Sequence, residues 1–352
     1  MLLLCVSCRH KSTPVSNPTR LAVEFAATAR EAAGAEAAIR IVPAVTTPVE
    51  KPARVLVSLP DFARVPALEA AWRKLGGERN TSVEPRESSA DTRTYEVNTG
   101  GKSALLLEVF APGASGSGPS APGGRPALAL IVDDLGYDSS AARAVLALPG
   151  RVTVAVLPEL PESTPIAEAA HRRGIEVLLH LPMESLAGED KAEKVELHTG
   201  EPPGEVNRVL DQMLATVPHA VGVNNHQGSR ATADPALMAA VAAALHARGL
   251  FFVDSRTSGA SVAFEAARRA GVPAAARNVF LDDDEQPAAI RRQLDRAVHL
   301  AREQGSCLAI GHPHSATLAV LADALPEVEA RGIQLVSASA LLQRDSPQQP
   351  RP

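Results

Sequence analysis

The feature that most constrains the fold is a regular alternation of short apolar runs and helical patterns through residues 127–340. At least seven such runs occur, and each is followed by a segment in which apolar residues recur at helical spacing. Strands that are apolar along their whole length are typical of a parallel sheet covered on both faces. The sequence therefore predicts an α/β domain built from repeated β-α units.

Most of the apolar runs end in an Asp, a His or an Asn. These residues are Asp133 and Asp134, His180, the segment 224–226 (Asn-Asn-His), Asp254, and His312 with His314. If the sheet closes into a barrel, the carboxyl ends of its strands share one face, where catalytic groups meet. Two carboxylates and several imidazoles at one place indicate a metal site.

Each of these residues also has a purely structural interpretation. Asp133 and Asp134 could begin a helix, where the macrodipole favours negative charge. His180 could be a hydrogen-bonding group at a strand end. Asp254 could either orient a histidine or form a weak surface pair with Arg256.

The remaining polar residues receive structural predictions. The acidic run 282–285 is interpreted as a solvated cap of a helix that begins near Pro287. Five further histidines are predicted to be surface residues without partners: His171, His198, His219, His246 and His299.

Composition excludes several classes of protein. The net charge of −5, with no basic stripe, argues against a nucleic-acid partner, and 3% aromatic residues are too few for an array of stacked bases. No segment approaches the roughly 20 apolar residues that a membrane span needs. The chain lacks a nucleophile elbow and a phosphate-binding loop, so a metal-activated water is the best available nucleophile.

The sequence predicts that the chain divides into five regions, as follows. Residues 1–19 form a polar tether or truncated export signal, and 20–110 form a small α+β domain without any chemical constellation. Residues 111–126, mostly Gly, Pro and Ser, form a flexible linker. The large domain covers 127–342, and 343–352 is a disordered tail.

The N-terminus has some features of an export signal. Cys5 and Cys8 have C-x-x-C spacing, but no second pair completes a zinc cage. Cys8 follows a small residue, as in a lipoprotein cleavage site, although a basic region is missing and the apolar stretch is short. Either the start lies too far downstream or this segment is not a signal.

Four motifs occur in order along the large domain: IVDDLG at 131–136, LLHLPME at 178–184, GVNNHQGS at 222–229 and IGHPH at 310–314. Together they resemble the divergent polysaccharide deacetylase family, a branch of the NodB-type carbohydrate esterases. The resemblance covers residues 126–342 and implies a distorted (β/α)7-type barrel, NodB-like, after the small domain and the linker. It also implies metal-dependent removal of acetyl groups from an N-acetylated glycan, and a place in the bacterial cell envelope or periplasm. The lipoprotein-like segment before Cys8 would make that cysteine a lipid anchor there.

The resemblance assigns roles to particular residues. Asp133 corresponds to the catalytic base, Asp134 to a metal ligand, and His180 to the first histidine of an H-x-x-x-H metal motif. The second position of that motif is Glu184 here, so either Glu184 binds the metal or His226 replaces the missing ligand. We prefer His226, because a second imidazole restores the His-His-Asp set that suits Zn²⁺.

The late histidine of the superfamily, a general acid, corresponds to His312, with His314 as a neighbour that could exchange roles. Asp254 is expected to set the tautomer of His312. Asn224, Asn225 and Ser229 are further candidates for the site. Zn²⁺ is the expected metal, although the same ligands accept Co²⁺, Mn²⁺ or Fe²⁺.

Two rival functions remain open at the level of sequence. The altered second motif leaves open a non-catalytic barrel that binds glycan or scaffolds envelope and division proteins. A metal-dependent phosphoesterase is the weaker rival, because only Arg230 and Arg256 lie near the strand ends to neutralise a phosphate. The sequence carries no signal of an oligomeric state.

Overall fold

The computed structural model describes residues 18–34, 37–44, 52–59, 62–88, 92–110, 125–186 and 193–345. They fall into two compact units, Met1–Gly116 and Ser117–Pro352. Cys5 and Cys8, most of the predicted linker and the last seven residues lie outside the described ranges. Within those ranges, no helix has the length and apolar character that a membrane crossing requires.

The first unit combines two helices with a five-stranded sheet. Its elements are α1 (Pro18–Ala33), β1 (Ala38–Val42), β2 (Ala53–Ser58), α2 (Val65–Glu78), β3 (Ser82–Ser88), β4 (Thr92–Thr99) and β5 (Lys102–Phe110). The strand order is β1-β2-β5-β4-β3, and β2 and β5 pair in parallel while the other neighbours are antiparallel.

The helices and the sheet of this unit share one apolar core. Phe25 of α1 and Trp72 of α2 are fully buried in the same cluster as Val55 and Leu107 of the sheet. The Trp72 indole N–H donates to the carbonyl of Phe25 at 3.1 Å, so its one polar atom is satisfied inside the core. The unit is α+β, as the sequence predicts.

The second unit alternates strands and helices along its whole length. Its elements are β6 (Ala127–Leu135), α3 (Ser139–Leu146), β7 (Thr153–Val156), α4 (Ser163–Arg172), β8 (Glu176–Met183), α5 (Pro203–Thr216), β9 (Ala220–Gln227), α6 (Pro235–Arg248), β10 (Phe251–Asp254), α7 (Ala263–Arg269), β11 (Ala274–Ala276), β12 (Val279–Phe280), α8 (Pro287–Gln304), β13 (Ser306–Gly311), α9 (Ser315–Ala330), β14 (Gln334–Val336) and α10 (Ala338–Asp345).

The strands of this unit form one parallel sheet that curls into a half-barrel. Eight strands follow the order β11-β10-β9-β8-β7-β6-β13-β12, and β14 pairs with β6 beside this path. Only Arg277 and Asn278 separate β11 from β12, the two ends of the order. Arg277 N–H donates to the carbonyl of Asp254 and Asn278 N–H to that of Leu308, so one segment joins both ends. The predicted NodB-like α/β barrel is confirmed.

Alternate residues of β6 face two different apolar cores. Leu128 and Leu130 pack with residues of α8 and α9. Ala129 and Ile131 belong to a second cluster with residues of the other strands, to which α10 adds Leu341 and Leu342. The helix α10 runs to Asp345, so it includes the first three residues of the predicted tail.

The turns that connect the elements follow the expected sequence signals. Asp234 accepts hydrogen bonds from the N–H groups of Ala236 and Leu237 at the start of α6, and Pro235 occupies the first turn. Gly249 ends the same helix in the left-handed conformation, with φ of 66°. These short connections bring every strand back to the sheet in the same direction.

Candidate active site

A bulge at the end of β6 brings two adjacent carboxylates to one cavity. The register between β6 and β7 shifts between Val132 and Leu135, and Asp134 has a φ of 57°, in the left-handed region. Successive side chains of a regular strand point to opposite faces, whereas here Asp133 and Asp134 both line the same cavity. The predicted convergence at the strand ends is therefore achieved by a local change of backbone direction.

The cavity has a volume of about 250 Å³, and all of its lining residues except Phe280 carry polar side chains. The residues around it come from the carboxyl ends of β6, β8, β9, β10, β12 and β13. They are Asp133, Asp134, His180, Ser185, Asn225, His226, Gln227, Ser229, Ser255, Thr257, Phe280 and His312.

Three of these side chains converge on one point. Asp134 Oδ1 lies 3.1 Å from His180 Nε2 and 3.0 Å from His226 Nδ1, and the two ring nitrogens are 3.1 Å apart. Asp134, His180 and His226 thus form a compact group of candidate metal ligands. Two imidazole nitrogens and one carboxylate oxygen are the donor set of many catalytic zinc sites.

The orientation of Asn224 fixes which nitrogen of His180 carries a proton. Asn224 Nδ2 donates to both oxygens of Asp133, at 2.9 and 3.0 Å, so its Oδ1 is the atom that faces His180 Nδ1 at 3.0 Å. Because Oδ1 can only accept, Nδ1 must be the donor. The neutral imidazole therefore presents a lone pair on Nε2, towards Asp134 and His226.

The carboxylate of Asp134 fits a cation at this point. Its Oδ1 is buried and makes no hydrogen bond of ordinary geometry within the described residues, although both ring nitrogens lie close to it. Burial would raise the pKa of Asp134, but the contacts with His180 and His226 hold it well below its ordinary range. Burial would lower the pKa of His180, but Asp133 and Asp134 raise it, so a positive charge between His180 Nε2 and Asp134 is favoured, either as a proton on Nε2 or as a divalent metal.

Asp133 has the properties of a proton acceptor. It is only 2% exposed, and its Oδ2 lies 3.7 Å from His180 Nε2. Burial raises the pKa of Asp133, and the nearby charges of His180 and His312 oppose this only in part. A carboxylate with a raised pKa is a more effective base near neutral pH than an ordinary Asp.

His312 stands across the cavity with its own carboxylate partner. Its Nε2 lies 3.9 Å from Asp134 Oδ2, and its Nδ1 lies 3.0 Å from Asp282 Oδ1. Burial alone would lower the pKa of His312, but the hydrogen bond to Asp282 and the charges of Asp133 and Asp134 raise it to about 9. His312 is therefore a cation at neutral pH and can donate a proton.

The prediction that Asp254 sets the tautomer of His312 is wrong, because Asp282 makes that contact. Asp254 is fully buried and accepts the backbone N–H of Arg256 at 2.8 Å and the hydroxyl of Ser261 at 2.9 Å. These bonds fix the loop after β10. The alternative pair with Arg256 is present, with Arg256 Nε 3.8 Å from Asp254 Oδ2, but the Asp254 carboxylate is buried and not at the surface. Its part in the site is to shape the adjoining loop.

The prediction that the acidic run 282–285 is a solvated cap is wrong for its first residue. Asp282 is 4% exposed, and besides His312 it accepts the hydroxyl of Thr317 at 2.7 Å. Asp284 accepts the backbone N–H of Gln286 beside the start of α8, as expected of a cap. The signal for Asp282 in the sequence was its position directly after the apolar segment 279–281.

Glu184 lies outside the group of converging ligands. Its Oε2 accepts the backbone N–H and the hydroxyl of Thr199 at 2.8 and 2.7 Å, and its Oε1 lies 3.2 Å from Arg230. Burial would raise the pKa of Glu184, but the hydrogen bonds from Thr199 lower it. Of the two alternatives for the third ligand, the geometry favours His226.

The other candidates have supporting positions. Asn225 accepts the N–H of Ser255 at 2.8 Å and donates to the carbonyl of Gln227 at 2.9 Å. Ser229 accepts the N–H of Leu186 at 2.9 Å. His314 belongs with Asp282 and His312 to a second group of closely spaced donor atoms.

Among the histidines predicted to lack partners, His198 Nδ1 lies 3.7 Å from Glu196 Oε1, and three more contact a neighbouring side chain. The rings of His171 and His219 stack in parallel with centroids 3.7 Å apart, and His219 Nε2 lies 3.2 Å from Glu168. His299 faces Glu303 at 3.1 Å on the surface of α8. None of these three histidines lines the cavity.

Comparison with known proteins places the barrel in a family. A family model described as divergent polysaccharide deacetylase matches residues 130–342. The uncharacterized protein YibQ of Escherichia coli K12 is 43% identical over 215 residues, which are 61% of this chain and 67% of that protein. An uncharacterized protein of Haemophilus influenzae Rd is 39% identical over 225 residues, covering 64% of this chain and 80% of its own length.

A solved structure has the same fold. The crystal structure of the uncharacterized protein ATU2773 from Agrobacterium tumefaciens C58 superposes with a TM-score of 0.60 at 26% identity, covering 63% of this chain and 92% of that one. The family match includes every residue of the cavity described above. The chain belongs to the divergent polysaccharide deacetylase family.

Proposed function

We propose that the barrel is a metal-dependent hydrolase that removes acetyl groups from a carbohydrate of the cell envelope. The proposal rests on the side chains that line one cavity. Three converging ligand atoms, from Asp134, His180 and His226, lie beside a buried base, Asp133, and a protonated imidazole, His312. Together they would supply the activated water, the proton acceptor and the proton donor of a metal-assisted acetamide hydrolysis.

Asp134, His180 and His226 would hold the metal, and Zn²⁺ suits their donor set best. When bound, a divalent metal supplies Lewis acidity towards the acetyl carbonyl and lowers the pKa of water towards about 7. Asn224 keeps His180 in the ligating tautomer through its contact with Nδ1.

The residues of the chain divide the proton transfers between them. Asp133 accepts the proton of the attacking water, and Asn224 holds its two oxygens in place. His312 donates a proton to the departing amine, and Asp282 keeps it charged until that step. The acetyl group leaves as acetate and the sugar retains a free amine.

The lining of the cavity favours an acetyl group over a phosphate. Among its described lining residues there is no Arg or Lys. The guanidinium of the nearby Arg277 donates to the backbone carbonyls of Ser255 and Arg256, and these bonds hold it away from the cavity lining. A phosphate dianion would meet Asp133 and Asp134 without a cationic side chain apart from His312.

The test uses the full chain loaded with zinc, and measures acetate released from chitooligosaccharides and from peptidoglycan fragments. Asp133→Asn should reduce turnover by about 10²- to 10⁴-fold. It should retain one zinc per chain, because the substitution removes only the base. His226→Ala should lose both zinc and turnover. His299→Ala, which changes a surface imidazole on α8, is the matched control and should behave as the wild type.

Two results would contradict the proposal. If the wild-type protein binds no zinc, the proposed metal centre is wrong. Stoichiometric zinc without acetate release on any N-acetylated or O-acetylated glycan would favour the non-catalytic alternative, a barrel that binds glycan or scaffolds envelope proteins.

A further inference from the structure

The two histidines of the metal group present different nitrogen atoms to it. His180 faces the group through Nε2 and its Nδ1 contacts Asn224. His226 faces the group through Nδ1, so its Nε2 lies on the far side of the ring. A neutral imidazole can ligate through Nδ1 only when its proton is on Nε2. His226 therefore needs an acceptor at Nε2, and Asn224 is not the residue that provides it.

Glu193 occupies that position. Its Oε1 lies 3.6 Å from His226 Nε2, and its side chain is 22% exposed. His226 is itself mostly buried, with 13% of its side chain exposed. A carboxylate behind a ligating imidazole orients the ring and increases its basicity.

Glu193 is held in place from two directions. The hydroxyl of Tyr137 donates to Oε1 at 2.9 Å and approaches Oε2 at 3.2 Å. The backbone N–H of Glu193 donates to Glu196 Oε2 at 3.2 Å. Burial and the facing carboxylate of Glu193 raise the pKa of Tyr137 to about 12, so its hydroxyl remains a donor at neutral pH.

The segment that carries Glu193 is anchored to the end of β8. Leu197 is fully buried, accepts the N–H of Glu184 at 2.9 Å and donates to the carbonyl of Pro182 at 3.0 Å. Two residues further on, Thr199 donates twice to the Glu184 side chain. Glu184 thus contributes to the metal centre indirectly, because it fixes the chain that leads to Glu193.

We propose that Glu193 is a positioning residue of the metal centre, and that Tyr137 holds it there. Glu193 keeps the proton of His226 on Nε2 and leaves the lone pair of Nδ1 free for the metal. This inference rests on the proposed function, since it needs a metal at the Asp134–His180–His226 group. It adds one residue from the segment after β8 and one from the turn after β6 to the site.

The test is a zinc titration of the metal-depleted full chain, followed by calorimetry or by competition with a chelating dye. Glu193→Ala should weaken zinc binding by about 10- to 100-fold. Tyr137→Phe should weaken it in the same direction by a smaller factor, because the carboxylate remains but loses its donor. Glu168→Gln is the matched control, since Glu168 faces His219 Nε2 at 3.2 Å outside the cavity.

A second readout separates positioning from a general effect on the fold. Nitrogen-15 NMR of the histidine rings in the metal-free protein should show a larger fraction of His226 with its proton on Nε2 in the wild type than in Glu193→Ala, where the proton should shift to Nδ1, towards Asp134. Unchanged zinc affinity and an unchanged His226 tautomer in that variant would overturn the inference while the proposed function stands. Failure of the wild type to bind zinc would overturn both.

Discussion

Asp282 holds His312 at two points. Its Oδ2 accepts the backbone N–H of His312 at 2.7 Å, and its Oδ1 lies 3.0 Å from the Nδ1 of the same residue. The backbone contact fixes where β13 ends, and the side-chain contact fixes how the imidazole is turned. Burial would raise the pKa of Asp282, but its hydrogen bonds with His312 outweigh this effect and lower the pKa. One carboxylate thus controls both the position and the charge of the proposed acid.

The Asp282→Asn variant should lower the pKa of His312 from about 9 towards its ordinary value of 6.5, because the imidazolium loses its partner. The alkaline limb of the activity profile should then move to lower pH, because a deprotonated His312 cannot donate a proton. Histidine NMR of the metal-free protein and a pH profile of turnover measure the two effects. Asp283→Asn changes an exposed neighbour and should move neither.

The same shift predicts how stability depends on pH. The folded pKa of His312 lies above its unfolded value, so its contribution is complete below pH 6.5 and is lost as the pH rises through about 9. The free energy of unfolding of the metal-free wild type, measured in urea, should fall over that window. Asp282→Asn should reduce the slope of this free energy against pH. Equal slopes for both proteins would contradict the assignment.

Asn224→Ala should destabilise the barrel and weaken zinc binding together. Asn224 is fully buried, and its loss leaves Asp133 and His180 Nδ1 without their partner. Each buried polar group without a partner costs about 1–3 kcal/mol, and loss of the tautomer contact should weaken zinc binding by roughly 10- to 100-fold. Denaturant melts and zinc titrations measure the two losses. Asn207→Ala, on the outer helix α5, should leave the zinc affinity unchanged.

Glu184→Ala separates the two candidates for the third ligand. Because His226 and not Glu184 belongs to the converging group, the variant should still bind one zinc per chain. It should also speed hydrogen exchange at 196–199, where the anchor between Thr199 and Glu184 is lost. A variant without zinc but with an intact His226 would assign the ligand to Glu184 instead.

Two glycines of the barrel should respond to alanine with opposite signs. A Cβ on Gly222 would lie 2.6 Å from the ring of Phe251, so Gly222→Ala should destabilise by about 1–3 kcal/mol. Gly204 lies in the first turn of α5 with no atom near its Cβ position. There, alanine should stabilise by about 0.4–1 kcal/mol, because it restricts the unfolded chain. Denaturant melts of both variants check the pair.

The sequence was sufficient for the parts of the fold that depend on periodicity. The apolar runs at 128–132 and 177–179 predicted buried parallel strands, and both belong to the sheet. The polar strand β3 escaped prediction, because its residues are largely exposed and show no regular alternation. In that strand, pairing with β4 decides the conformation, and pairing is a tertiary effect.

The site could be predicted at the strand ends and was missed away from them. His180, His226 and Asp134 follow apolar runs, so topology alone placed them together. Asp282 begins an acidic run that resembles a helix cap, and only its position directly after the apolar segment 279–281 distinguishes it from Asp283. Glu193 comes from a connection after β8, where no periodic pattern indicates which face of the barrel the chain approaches.

The position of β6 in the sheet has a consequence for the order in which the protein can mature. Ala127 of β6 pairs with Ser306 of β13 and with Gln334 of β14, which are synthesised long after it. A nascent chain that has reached residue 226 already carries all three proposed metal ligands, yet β6 still lacks its partners on one side. Pairing between strands so distant in the chain forms slowly. During synthesis, the ligand set is therefore complete well before β6 is covered and before His312 arrives.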